Sequence, residues 1–158
     1  MKYIVPFFTT LLLYSNASFA GENTNADKLG VGLGSGTSNS AITVKKYFEP
    51  NMALQGFIGT RGATSLHTFS LGADALFEFT LREADVGRFF YGYGAGLGIF
   101  SYSGFGFSSI GFSGVGEIGI HFSSIPLEIV IDLRPSIFLG DFAGISLLSG
   151  GSAVRWYF

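Results

Sequence analysis

The chain has 158 residues, a formal net charge of −2 and 47% hydrophobic residues, but only 13% charged ones, about half the ~25% usual for a soluble domain. The slight acidity and the scatter of Lys and Arg argue against a nucleic-acid partner. The absence of cysteine excludes a disulfide framework and a thiolate metal site.

Residues 1–20 read as a secretory signal peptide. Lys2 supplies the positive start, residues 4–13 the apolar run, and Ser18 and Ala20 the small residues before cleavage after Ala20. A membrane helix needs ~20 mostly apolar residues, and Ser15-Asn16 comes too early for one. Further on, glycine interrupts every apolar stretch, so no helical span is expected. The expected division is a leader, 1–20, and one domain, 21–158.

After a polar lead-in, 21–27, eight segments carry strand character: 29–35, 40–48, 52–61, 66–80, 89–101, 110–122, 127–138 and 144–158. The connection 81–88 is charged, 102–109 is a Gly-aromatic-Ser loop, and 123–126 reads as a turn. Eight tilted strands of ~10 residues fit 21–158 and leave room for connections. Eight is also the smallest even count for an outer-membrane barrel.

The last segment ends Ser152-Ala153-Val154-Arg155-Trp156-Tyr157-Phe158. Val154, Trp156 and Phe158 share one parity, so the period of two runs to the final aromatic. Terminal residues of soluble domains are usually mobile and wet; a strand with one face in lipid has a use for such a residue. This ending resembles the C-terminal strand of bacterial outer-membrane β-barrels. The pattern of the whole mature chain is similar to the small eight-stranded outer-membrane proteins of the outer-membrane protein X and A-domain type. The resemblance implies an all-β fold, a transmembrane antiparallel up-and-down barrel in the outer membrane of a Gram-negative-type envelope. It implies Trp156 and Phe158 as an assembly signal for the barrel assembly machinery, contact with outer-membrane lipids and lipopolysaccharide, and a monomer. Neither nucleic acid nor cofactor is expected. Members of that family have short periplasmic turns, whereas 81–88 reads as a long one; the outer connections after Ser35, Arg61 and Phe138 look short.

A soluble lipocalin-like barrel would also alternate, with its apolar face inward. The polar parity favours the opposite arrangement. In 89–101 it reads Phe90, Gly92, Gly94, Gly96, Gly98, which suits a crowded interior. Aromatics of the apolar parity also gather at strand ends. Phe48, Phe77, Phe79, Phe89, Tyr91, Phe122, Trp156 and Phe158 fall toward one rim. Phe69 and Phe112, with Tyr102, Phe105 and Phe107 of the loop, fall toward the other. Two girdles are the pattern of a membrane barrel.

The interior parity collects Asp74, Glu78, Glu117, His121, Glu128, Asp132, Arg134 and Arg155, with Lys45, Gln55 and Arg61 from earlier strands. A turn closing between Ser124 and Ile125 sets His121 opposite Glu128 and Glu117 opposite Asp132; a turn near Asp141-Phe142 sets Glu128 opposite Arg155. An eight-stranded barrel is just wide enough for side chains to fill it. Buried charges are costly unless paired. An internal salt-bridge cluster is therefore expected, and with it a structural or interaction role rather than a diffusion pore.

Two other readings stand beside it. His121-Phe122-Ser123 resembles the His-x-Ser pair of outer-membrane lipid A deacylases. That likeness implies His121 as base, Ser123 as nucleophile and Glu128 orienting the imidazole, on a match of only three residues. A narrow channel for small solutes is the other. His67 has no second His or Cys placed to help it and reads as a loop histidine, not a metal ligand. The glycine runs 30–34 and 92–98 lack the helix and the Lys-Ser/Thr of a phosphate loop.

Overall fold

The computed structural model describes residues 28–34, 42–63, 66–102, 107–141 and 143–158. The leader and lead-in, Phe105, and the side chains of Arg61, His67, Tyr102 and Phe107 lie outside the described residues. The strands are β1 (Leu29–Gly34), β2 (Ile42–Glu49), β3 (Met52–Ala63), β4 (Leu66–Ala84), β5 (Gly87–Tyr102), β6 (Phe107–Phe122), β7 (Leu127–Leu133), β8 (Ser136–Gly140), β9 (Gly144–Ser146) and β10 (Gly150–Tyr157). Each pairs antiparallel with its neighbours, and β1 against β10 and β5 against β6 complete the ring.

Ten segments make eight barrel strands. β7 and β8 lie along β6 in one continuous register, with Gly116 opposite Leu133 and Ser113 opposite Ser136. They separate at Arg134-Pro135, where proline has no N–H to give the ladder. Gly114 N still donates to Pro135 O at 2.9 Å. β9 and β10 are likewise two parts of the last strand, lying on β8 and β7 respectively. The register slips by one residue between Ser146 and Gly150, as at a β-bulge. Inward positions are therefore even before the slip and odd after it. The segment 144–158 does not keep one parity, as a single uninterrupted strand would.

The connection 81–88 is not a loop. β4 runs to Ala84 and β5 starts at Gly87, so Asp85-Val86 is the whole turn. The ladder carries Glu83 opposite Arg88 with an irregularity between Thr80 and Arg82. The charges misled because past the rim of a barrel both strand faces are wet, and a hairpin there carries charge without penalty. Turns at this end are short throughout: Pro50-Asn51, Asp85-Val86 and residues 123–126. The connection between β5 and β6 is also shorter than 102–109, since β5 reaches Tyr102 and β6 begins at Phe107.

Alternation along every strand sorts the two faces. Leu33, Ile58, Leu71, Leu97, Ile118, Ile131 and Val154 point outward and are exposed, while Ala53, Leu76 and Val130 point inward and are fully buried. Inward glycines keep the space that larger neighbours fill. A Cβ on Gly92 would stand 3.0 Å from the Cγ atoms of both Glu78 and Glu117. A Cβ on Gly32 would collide with the Val154 carbonyl oxygen and stand 2.7 Å from Arg155 Cα, at the β1–β10 seam. Outward Gly116 has nothing within 4 Å of such a Cβ. Gly32→Val is therefore expected to lower stability by about 1–3 kcal/mol and Gly116→Ala by less than about 0.5 kcal/mol, read as urea unfolding in detergent; equal effects would contradict the seam geometry.

Candidate functional site

The hairpin register sets His121 opposite Glu128 and Glu117 opposite Asp132, as the 123–126 turn predicts. The β7–β10 ladder sets Glu128 opposite Arg155 by way of the one-residue slip in the last strand, since the β8–β9 pairing continued unchanged would set Glu128 opposite Val154. With period two, all of them face the lumen. Residues from β2, β3 and β4 meet them across the barrel.

Two knots of charge result. The first surrounds Lys45. Its Nζ pairs with Glu78 Oε1, lies 3.2 Å from Glu128 Oε2 and 3.6 Å from Glu117 Oε1. Arg155 pairs with the other oxygen of Glu128 and also donates to Gln55 Oε1 and, at 3.3 Å, to Thr43 Oγ1. Tyr157 OH donates to Glu128 at 2.9 Å and Tyr47 OH to Glu78 at 2.5 Å. His121 Nε2 stands 2.9 Å from Tyr47 OH and 3.0 Å from Glu128 Oε2. Its ring packs among Phe90, Tyr157 and Tyr47, with centroids 4.8, 5.5 and 6.1 Å away.

The second knot forms on Arg134. Its Nε donates to Asp132 at 2.7 Å and its Nη1 to Asp74 at 2.8 Å. Gln55 joins the knots, because its amide oxygen accepts from Arg155 while its Nε2 donates to Asp74 at 3.0 Å. Lys45, Glu78, Glu128 and Arg134 are completely buried. Asp74, Glu78, Glu117, His121, Glu128, Asp132, Arg134 and Arg155 are all buried, each paired or beside a partner. Glu117 is the least served: neither of its oxygens accepts a hydrogen bond among the described residues, and Lys45 is its cation.

Lys45 and Gln55 prove central, and Thr43, Tyr47 and Tyr157 join unforeseen. The available signal was parity: Thr43-Lys45-Tyr47 and Arg155-Tyr157 each occupy one inward register. Tyrosine was read for its ring, although a buried phenol needs a hydrogen-bond partner.

Glu78, His121 and Glu128 offer ligand atoms within 4.8 Å of one another and could hold a metal ion. The Lys45 ammonium already neutralises both carboxylates at contact distance, so a fixed internal cation fills that electrostatic role. Of the His-x-Ser pair, His121 is buried in the cluster, whereas Ser123 sits exposed in the turn past the end of β6 and its N donates to Val86 O at 3.1 Å. Trp156 and Phe158 face outward and are exposed. On the paired strands β4 and β5, away from β10, Phe79 stacks on Tyr91 and Tyr93 at 5.6 and 5.8 Å, and Phe77 lies 6.0 Å from Tyr93.

No protein-family model, curated protein or solved structure matches the chain. Its class, a closed eight-stranded antiparallel barrel, rests on its own strand pairing.

Removing one partner of a buried ion network leaves uncompensated charge, typically at 3–5 kcal/mol. Lys45→Met is expected to destabilise the barrel by about that much. Adding Glu78→Gln to it is expected to recover part of the loss, because it removes a carboxylate that Lys45 no longer neutralises. Urea unfolding of the two variants in detergent checks both statements.

Proposed function

We propose that the protein is a small integral outer-membrane β-barrel with a structural or interaction role in the cell envelope and a lumen closed to solutes. The observation that carries this reading is the inversion of the faces. The ionisable side chains of the lumen are buried and paired, while Leu, Ile, Val and aromatic side chains are exposed around the circumference. In water such an exterior would be one continuous apolar patch, far beyond what soluble monomers expose. In a bilayer it is the expected lipid-facing surface, and a closed barrel leaves no unpaired backbone there.

The dimensions support the reading. On β5 the uncharged stretch 89–101 covers ~40 Å along the strand at ~3.4 Å per residue, or ~30 Å of height at the usual ~40° tilt, against an apolar band of ~25 Å in such barrels. The export leader expected over 1–20 and the outward Trp156 and Phe158 fit delivery to the barrel assembly machinery, with lipid and lipopolysaccharide as surroundings and no second subunit required. The two charge knots favour a closed lumen over the narrow channel.

Cell fractionation, gel migration with and without boiling, and planar-bilayer recording test this together. The protein is expected in the outer-membrane fraction, with heat-modifiable migration and no steady conductance. A soluble, unshifted periplasmic protein would overturn the assignment, and a stable conductance would move it to the channel.

A further inference from the structure

We propose that Lys46 is a binding site for the phosphate of an anionic phospholipid headgroup, on the outer face at the end of the barrel that carries the short turns. The inference rests on the membrane reading above. Lys45 and Lys46 are adjacent in sequence, so strand alternation sends them to opposite faces. Lys45 enters the lumen, where three carboxylates lie within 3.6 Å or closer. Lys46 goes outward and makes no ion pair among the described residues. It is directly opposite Leu29 on β1 and Leu54 on β3, and two residues from Val44 and Phe48 on its own strand; all four are exposed and apolar. Glu49 lies at the end of β2, beside a turn, and Arg82 and Glu83 lie at the tip of the β4–β5 hairpin. Short of those ends, Lys46 is the one charged outward residue among the described strands.

A lysine on a lipid-facing surface lays its methylene stem along apolar neighbours and carries the ammonium to the interface. The ammonium of Lys46 lies over the Phe48 ring, 6.0 Å from its centroid, and Phe48 is the next outward residue toward the Pro50-Asn51 turn. The reach is therefore toward the rim. At ~3.4 Å per residue and the usual tilt, the Lys46 backbone sits roughly 8 Å from the strand end, the depth at which headgroups meet acyl chains. No carboxylate among the described residues lies within ion-pair distance of it, and the anion that a bilayer supplies at that depth is phosphate. A headgroup of net negative charge is preferred over a zwitterion, whose own ammonium competes for the same phosphate.

The protein carries its own reporter. Trp156 is the one tryptophan in the chain, is exposed on the same outer face, and pairs with Val31 of β1, which in turn pairs with Val44 of β2. The full-length protein purified from membranes is reconstituted in phosphatidylethanolamine vesicles containing a minor share of phosphatidylglycerol, with bromine on the acyl chains of one lipid or the other at equal total bromine. Brominated phosphatidylglycerol is expected to quench Trp156 as though enriched about fivefold beside it, the scale of one interfacial lysine. The preference is expected to vanish in Lys46→Gln and to persist in Lys46→Arg. Equal quenching by both lipids in the unaltered protein, or a preference that survives Lys46→Gln, would overturn the site while leaving the membrane reading intact. No quenching by either lipid would overturn the membrane reading itself and this site with it.

Discussion

The Lys45 ammonium is the point from which the interior is organised. Three carboxylates from three other strands, Glu78 of β4, Glu117 of β6 and Glu128 of β7, converge on it. An isolated buried charge costs far more than any single contact returns, and apart from Arg155, paired with Glu128, Lys45 is the only Lys or Arg beside these carboxylates among the described residues. Tyr47 of β2 satisfies the Glu78 oxygen that the lysine leaves over, and Tyr157 of β10 joins the lysine on the same oxygen of Glu128. Gln55 then ties this knot to the one on Arg134. The lumen is filled by bonded groups, and their complementarity fixes which strands may stand opposite one another.

How much of this could be read beforehand depended on whether the determining interaction was local. The pairs His121–Glu128 and Glu117–Asp132 follow from a four-residue turn and a period of two, and they are where that arithmetic puts them. Lys45 could be assigned to the interior for the same reason. That it lies at the centre could not, because nothing in a sequence says which of eight strands faces β2 across a barrel. The charges of 81–88 suggest irregular chain, yet a paired hairpin beyond the rim tolerates them equally well, with Glu83 opposite Arg88. The last strand departs from simple alternation at 147–149, where one extra residue turns it over; Leu147 and Leu148, both highly exposed, are the trace of that reversal.

The two faces follow a common electrostatic logic with different partners. Inside, Lys45, Arg134 and Arg155 each have a protein anion at a set distance. Outside, the strands avoid charge, and the exception at Lys46 sits where a strand nears its turn. The glycines of β5 belong to the same logic: the bare backbone at Gly92 lets Glu78 and Glu117 lie side by side, so small residues on one strand make room for acids on its two neighbours.

The cross-barrel bonds join positions far apart in the chain: Lys45 with Glu128, Gln55 with Arg155, and Thr43 with Arg155 are separated by 83, 100 and 112 residues. Until β10 meets β1, Arg155 and Glu128 have no reason to be near β2 and β3. In the membrane setting proposed above, an open sheet would therefore present its charged face to lipid with the partners missing. Hydrocarbon penalises that state heavily, so partial structures are poor stopping points and closure is close to all-or-none. Bonds of such long range are also slow to find. On that proposal, the interior that fills the finished lumen makes the unfinished barrel one that should not enter the bilayer alone, and places the burden on whatever holds the strands together until the last one arrives.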